Sequence, residues 1–309
     1  MSAVVVSEFL GAEYLARLSD QHDVTYDPDL YADRPRLLAA VADARAILIR
    51  NRTRIDGEFI TAASKLAIVG RLGVGLDNID LEACASAGIA VKPAVGANAV
   101  SVAEYVMSAT LTLLRPVFGM TESMVAGRWP RQGHAFGREA LGKTMGLLGF
   151  GSIARHVARR AAAFEMTVIA HDPFVPGDDP AWREAESVSL DDLLRRADVL
   201  SVHTPLTPGT RHVIGGEALQ LMKPTAFLIN TSRGGTVDEE AVAAALRHGV
   251  ISGAALDVFA SEPLQPEPAS RFAGLENLLL TPHLAGNTRE SVDRVAAVTV
   301  ATVLEALNS

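Results

Sequence analysis

The sequence predicts an α/β protein with two parallel-sheet domains of the Rossmann-like or flavodoxin-like kind, and three observations lead there. The chain has 309 residues and is 49% hydrophobic, long for one core and ample for two. Its apolar runs are short, do not alternate, and are separated by amphipathic stretches, as expected for strands buried on both faces and joined by helices. One such run closes on a glycine-rich turn that opens a helix.

The first half of the pattern occupies residues 1 to about 98. "AVVVS" reads as a strand, "PRLLAAVADA" as a helix and "AILIR" as the next strand. "DGEFITAAS" follows as a short helix, "LAIVGRLG" as a strand, "DLEACASAG" as a helix ended by Gly88, and "IAVK" as another strand. From about residue 99 the rhythm changes. "SVAEYVMSATLTLLR" is a long helical pattern with Ser101 placed as N-cap and Glu104 three residues on, a capping-box spacing. After the loop "AGRWPRQGHAFGRE" come six strand candidates: "TMGLLGFG", "TVIAHD", "VLSVH", "AFLIN", "SGAALDVF" and "LLLTPH". The tail "RESVDRVAAVTVATVLEAL" is one more amphipathic helix. There is no internal repeat and no low-complexity tract.

Composition excludes several classes. The formal net charge is -8, so the basic field of a nucleic-acid binder is lacking, and an anionic substrate needs local cations. A single cysteine, Cys84, permits no intrachain disulfide and no multi-cysteine zinc site; it fits a reducing cytoplasm and reads as a small helix residue. The N-terminal "MSAVVVSEFL" lacks the basic region of a signal peptide, and no apolar run reaches the ~18 residues of a membrane span. No metal site and no membrane partner are expected.

The turn Gly149-Phe150-Gly151-Ser152-Ile153-Ala154 has the dinucleotide-binding form. Gly149 permits the tight turn, Gly151 lets backbone approach a diphosphate, and Ala154 lets the helix pack closely on the sheet. The helix start offers free N–H groups and partial positive charge. "TVIAHD" ends at Asp172, whose carboxylate can accept from ribose hydroxyls and would repel a 2′-phosphate; no arginine follows in "HDPFVPG". The cofactor expected is therefore NAD rather than NADP.

Three charged residues then stand just beyond strand candidates: Arg233 after "AFLIN", Glu262 after "SGAALDVF" and His283 after "LLLTP". Open α/β sheets bind ligands beyond the carboxyl ends of their strands. Moving a hydride to or from a carbon requires proton exchange at its oxygen, which histidine performs near neutral pH. A carboxylate on the other ring nitrogen fixes the tautomer and raises the pKa. An arginine fork holds a substrate carboxylate. The set points to a 2-hydroxy acid and its 2-oxo acid, with Gly234 and Gly235 keeping bulk away from Arg233. The remaining histidines read as loop or structural residues.

With these residues in place, the sequence resembles the D-isomer-specific 2-hydroxyacid dehydrogenases, in wording closest to the phosphoglycerate dehydrogenase branch. "RNRTRID", "VGRLGVGLDNIDLEACASAGI", "LGKTMGLLGFGSIA", "ADVLSVHTPLTPGTRHVIG", "LMKPTAFLINTSRGGTVDEEAV", "GAALDVFASEP" and "LTPHLAGNT" carry the likeness. The resemblance implies a substrate-binding domain of residues 1–98 plus 287–309, an NAD-binding Rossmann domain of 99–286, and an active site in the interdomain cleft. It implies Arg233, Glu262 and His283 as the catalytic set, and Thr231, Ser232 and Asp257 as nicotinamide-side contacts. Thr204 and Pro205 fall on the adenine side, and Gly149, Gly151, Ser152, Ile153, Asp172 and Gly286 complete the cofactor contacts. The backbone of Leu72, Gly73 and Val74 would hold the substrate carboxylate. Arg52 and Arg71 are candidates for a distal anion, or else surface ion-pair residues. With Arg128 and Arg131 they hint at a phosphate or sulfonate, as in 3-phosphoglycerate or sulfolactate.

The resemblance further implies a homodimer formed through residues 101–136. No serine-sensing regulatory domain is expected, because the chain ends soon after its last helix. Two other readings share these features, an NADH-sensing corepressor-like binding protein and a glyoxylate or hydroxypyruvate reductase. Glu262 argues against formate dehydrogenases, which carry Gln there.

Overall fold

The computed structural model describes residues 3–131 and 137–308, which divide into two compact units, Met1–Asn98 with Asn287–Ser309 and Ala99–Gly286. The last five residues of the loop expected to join the dimer contact, 132–136, lie outside the described residues.

The first unit is a five-stranded parallel sheet of β1 (Val4–Val6), β2 (Val24–Tyr26), β3 (Ala46–Ile49), β4 (Ile68–Arg71) and β5 (Ala90–Pro93), in the order β2-β1-β3-β4-β5. Successive side chains of a strand point to opposite faces, and here both faces are buried. Val4, Val6, Ala46 and Leu48 enter one apolar cluster, and Val5, Ile47 and Ile49 the other. That is why these runs do not alternate with polar residues. The first cluster is closed by the helices Ala12–Ser19 and Arg289–Asn308. Gly70 lets the last helix approach, since a Cβ there would lie 2.7 Å from a Val303 methyl carbon.

The second unit is a seven-stranded parallel sheet. Its strands are β6 (Thr144–Leu148), β7 (Thr167–His171), β8 (Glu186–Ser187), β9 (Val199–Val202), β10 (Phe227–Asn230), β11 (Gly253–Leu256) and β12 (Leu278–Leu280). Their order is β12-β11-β10-β9-β6-β7-β8. The chain thus runs outward from β6 through β7 to β8, then crosses back to β9 on the other side. This is the doubly wound order, and its reversal at β6/β9 is where such sheets leave a crevice for ligands. Met145, Leu147, Val199, Phe227 and Ile229 pack into one face, and Leu148, Leu200, Val202 and Leu228 into the other.

The sequence pattern misses the helix Ala12–Ser19 and the edge strand β2 after it. The strand is three residues long and only partly buried, so it carries no apolar run. A second difference concerns the long helix, which spans Ala99–Leu114. Ser101 is therefore inside the first turn and buried rather than capping the helix, and Glu104 pairs with Arg160 at 2.9 Å instead of closing a capping box. Among the described residues, no helix is long and apolar enough to cross a membrane, and no cluster of histidine, cysteine or acidic side chains could hold a metal ion. Cys84 is buried in the helix Leu81–Ser86.

Candidate active site

The glycine turn sits at the end of β6, beside the reversal of the sheet. Gly149 has a φ of 87°, which favours glycine, and a Cβ there would come within 3.0 Å of the His203 carbonyl. The helix Ser152–Ala163 starts from Gly151, which is extended and gives no side-chain cap. The first N–H groups, from Ser152 and Ile153 onward, are therefore left for another acceptor. A Cβ on Gly151 would have nothing within 4 Å, so the glycine opens space in front of them. Ala154 is fully buried behind the turn.

Asp172 follows β7 and is wired to the turn. One carboxylate oxygen accepts from the Phe150 N–H at 2.8 Å and the other from Phe174 N–H at 2.9 Å. Each oxygen retains capacity for a further donor such as a ribose hydroxyl. Beyond β9 and β10 stand two threonines, Thr204 and Thr231, whose buried hydroxyls have no hydrogen-bond partner. Orphaned buried hydroxyls at strand ends beside an uncapped helix start are what a polar dinucleotide would satisfy. These residues therefore fit NAD. Pro205 follows Thr204 in the same loop, and its carbonyl accepts from the Thr210 hydroxyl at 2.6 Å. Gly286 ends this unit. His203 has a buried, unpartnered Nε2, and burial pushes its pKa down to about 4, so it is neutral near pH 7.

Arg233, Glu262 and His283 follow β10, β11 and β12, which are neighbours in the sheet. His283 Nδ1 and Glu262 Oε2 are 2.7 Å apart. A carboxylate only accepts, so Nδ1 carries the proton of this bond and Nε2 is left to exchange one with a ligand. The hydrogen bond from Glu262 raises the pKa of His283 against the opposing effect of burial; the charges of Glu262 and Asp257 add to the rise, and Arg233 opposes it. Burial pushes Glu262 up, but hydrogen bonds from His283 and the Phe259 N–H, with the charges of His283 and Arg233, bring it below its ordinary value. The two shifts agree in sign, as in an ion pair.

Each partner is held by backbone and buried polar groups. Glu262 Oε1 accepts from Phe259 N–H at 3.0 Å. His283 has a φ of 57°, unusual for a non-glycine residue, and donates its N–H to the Asp257 carbonyl at 2.8 Å. Asp257 is 1% exposed; its side chain accepts from Leu284 N–H at 2.7 Å and Ala285 N–H at 2.8 Å, which fixes the loop just after the imidazole.

The Arg233 turn is built on Asn230, which is 1% exposed. Its amide donates to the Arg233 carbonyl at 2.9 Å, and its oxygen accepts from the backbone N–H and hydroxyl of Ser232. The guanidinium donates to the Ser232 carbonyl at 2.7 Å. The following glycines do not serve mainly to clear space at the guanidinium. A Cβ on Gly234 would fall 1.8 Å from the Phe259 carbonyl carbon, so the Arg233 turn lies directly on the loop leading to Glu262. A Cβ on Gly235 would meet side-chain atoms alone, the Leu206 methyls at 3.1 and 3.2 Å and Arg211 Nη1 at 3.7 Å. Buried Glu239 adds a bond of 2.5 Å from the Ala260 N–H. Asn230 and Glu239 escaped the sequence reading, because a polar residue at a strand end or in the first turn of a helix looks like any surface residue until its partners are known.

In the first unit, Arg71 is 8% exposed and donates to the carbonyls of Leu72 and Gly75, each at 2.8 Å. It therefore shapes the turn at Leu72, Gly73 and Val74, where Gly73 has a φ of 150°. Arg52 is exposed, donates to the Tyr31 hydroxyl at 2.5 Å and lies 5.1 Å from that ring's centre. Its loop is pinned by Glu8, which is 4% exposed and accepts from Arg50, Arg52 and Thr53 N–H groups and the Thr53 hydroxyl. Burial lowers the pKa of Arg50 and Glu8 opposes that.

Comparison with known proteins identifies the family. Residues 107–285 match the family profile "D-isomer specific 2-hydroxyacid dehydrogenase, NAD binding domain". The chain is 51% identical over 308 residues to (S)-sulfolactate dehydrogenase of Chromohalobacter salexigens, covering 99% of both chains. It is 42% identical to D-3-phosphoglycerate dehydrogenase of Mycobacterium leprae over 95% of its own length, but spans only 54% of that protein. Its fold is similar to that of D-lactate dehydrogenase from Aquifex aeolicus, solved with NAD and lactic acid, at a TM-score of 0.86, 28% identity and coverage of 99% and 95%. The protein is an oxidoreductase with NAD as cofactor, and it belongs to the D-isomer-specific 2-hydroxyacid dehydrogenase family.

Proposed function

We propose that the protein interconverts a 2-hydroxy acid bearing a second anionic group, of the sulfolactate type, with its 2-oxo acid, and that Arg233, Glu262 and His283 carry the chemistry. The observation behind the assignment of residues is the 2.7 Å bond between His283 Nδ1 and Glu262 Oε2, at a strand end next to that of Arg233. NAD supplies the hydride acceptor or donor when bound. In reduction, the His283 imidazolium donates its Nε2 proton to the carbonyl oxygen as that carbon becomes a carbinol; in oxidation it takes the hydroxyl proton back. Glu262 holds the tautomer and stabilises the imidazolium. The Arg233 fork binds the 2-carboxylate and polarises the adjacent carbonyl. Leu72, Gly73 and Val74 offer backbone N–H groups to the carboxylate, with Arg71 keeping their turn in shape. Gly151, Ser152, Ile153 and Asp172 hold the dinucleotide, with Thr204 and Pro205 on its adenine side and Thr231, Ser232, Asp257 and Gly286 on its nicotinamide side. We assign the substrate-binding role to residues 1–98 with 287–309, and the NAD-binding role to 99–286.

The second anion rests on Arg52, which projects from a loop fixed by Glu8, with the half-buried Arg50 two residues before it. Similarity to a sulfolactate dehydrogenase along the whole chain favours a sulfonate. The homodimer belongs to the same reading and is supported by exposed apolar side chains at Val117, Phe118, Met124, Val125 and Trp129. A cytoplasmic location rests on the single cysteine, which is buried. The His283–Glu262 pair favours an enzyme over a corepressor-like NADH sensor.

The test is NADH oxidation with 3-sulfopyruvate, 3-phosphohydroxypyruvate, hydroxypyruvate, glyoxylate and pyruvate, repeated with Arg52→Ala. Sulfopyruvate should have the highest kcat/KM, and the variant should lose rate selectively on the two doubly anionic acids. Equal kcat/KM for charged and uncharged 3-substituents would end the second-anion assignment in favour of a glyoxylate or hydroxypyruvate reductase. Tight NADH binding with no turnover of any oxo acid would end the substrate assignment altogether.

A further inference from the structure

We infer that Tyr105 is a positioning residue for His283, acting through Thr281 and Asp257. The inference rests on the acid–base role proposed for His283. Tyr105 lies in the helix Ala99–Leu114, far in sequence from the strand ends, and its hydroxyl is 2.6 Å from Thr281 Oγ1. Thr281 Oγ1 is in turn 2.6 Å from Asp257 Oδ1. Proton counting orders the chain. A carboxylate only accepts, so the single hydroxyl proton of Thr281 goes to Asp257. Thr281 then has only lone pairs to offer, so the phenol must donate to it. The relay is directional, from Tyr105 to Thr281 to Asp257.

Its end point is the loop that carries the imidazole. Asp257 Oδ1 also accepts from Leu284 N–H, Oδ2 accepts from Ala285 N–H, and the Asp257 carbonyl accepts from His283 N–H. His283 is held in the left-handed region by these bonds, a conformation that costs energy and persists only where its surroundings over-determine it. Burial raises the Tyr105 pKa, with Asp257 adding to the rise and the bond to Thr281 opposing it, so the phenol stays protonated and keeps donating across the working range. A phenylalanine at 105 would fill the same space and leave Thr281 free to turn away from Asp257. The carboxylate would lose its orientation, and His283 would loosen from Glu262.

The test compares Tyr105→Phe, Thr281→Val, Thr281→Ser and the double variant Tyr105→Phe/Thr281→Val. Tyr105→Phe and Thr281→Val should each lower kcat about 3- to 10-fold, the effect of one buried hydrogen bond, with a smaller change in NADH Kd, since Asp257 is one of several groups proposed to hold the cofactor. Thr281→Ser should keep near-parental kcat. The double variant should lose little more than either single one, because both act on one chain. In the cofactor-free protein, NMR titration of the His283 ring should show its midpoint lowered in Tyr105→Phe. The groups setting that midpoint are Glu262 and Asp257, which raise it, and Arg233 and burial, which lower it. An unshifted midpoint, or losses that multiply in the double variant, would overturn the inference. A parent enzyme inactive on every oxo acid would instead count against the proposed function, and the titration would still decide the role of Tyr105.

Discussion

Gly234 offers the sharpest test of how the candidate site is assembled. An alanine there would put its Cβ 1.8 Å from the Phe259 carbonyl carbon, 2.2 Å from the Ala260 nitrogen and 2.2 Å from the Phe259 oxygen. Ordinary contact begins at 3.4 Å, so the two segments must separate by ~1.6 Å, a gap set by the hard repulsive wall between non-bonded atoms. No side chain can rotate away, because all three atoms are backbone. One segment carries Arg233 and the other leads to Glu262, so the guanidinium and the His283–Glu262 pair would move apart. A misplacement of about 1 Å costs on the order of 100-fold in rate, and overpacking costs about 1–3 kcal/mol of stability or more. The control is Gly235→Ala, whose Cβ meets only side-chain ends, the Leu206 methyls and Arg211 Nη1. Steady-state kinetics and thermal melts on both variants read the result. We expect Gly234→Ala to lose ~100-fold or more in kcat/KM and Gly235→Ala to stay within about threefold. Equal, small effects in a folded Gly234→Ala protein would refute the reasoning.

Four further outcomes are expected. Glu262→Gln removes the negative charge that helps raise the His283 pKa and leaves only a neutral amide acceptor; for oxo-acid reduction by the proposed mechanism, which uses protonated His283, the fall of kcat/KM with rising pH should begin at lower pH, with a loss of about 10-fold or more at pH 8. An unmoved pH profile would contradict the pairing. The stabilising effect of the pair has a window with two edges: the His283 share is complete below its ordinary 6.5 and lost as pH rises through the raised value, and the Glu262 share is complete above its ordinary 4.5 and lost as pH falls through the lowered one. Arg233→Ala should cost ~2–5 kcal/mol of transition-state stabilisation, read as kcat/KM; an unchanged value would refute its role. Asp172→Ala should raise the KM for NAD and erode preference over NADP, since it removes both the proposed ribose contact and the acceptor of Phe150 N–H; an unaltered NAD to NADP ratio would count against it.

The local signals were legible in the sequence. Buried parallel strands announce themselves as unbroken apolar runs, and the Gly149–Ala154 turn needs small residues at fixed spacing whatever surrounds it. The candidate trio was visible because each member ends a strand run. Legibility failed where a residue's role depends on a partner distant in the chain. Arg71 reads as an anion ligand from its charge, yet its guanidinium holds its own turn. Glu8 gives no local signal of a role, yet it anchors residues 50–53. Tyr105 reads as a helix aromatic, yet it bonds Thr281 across 176 positions.

What the sequence determined by itself was therefore most of the elements, the glycine turn that opens a helix and the chemistry available at three strand ends, because spacing and residue type act over a few positions. Only the tertiary structure decided that β10, β11 and β12 are neighbours, that Gly234 seats the Arg233 turn on the loop leading to Glu262, and that Asp257 holds His283 in a strained conformation. Those are contacts between segments brought together by sheet order, and sheet order is set by packing over the whole domain, which no local pattern encodes.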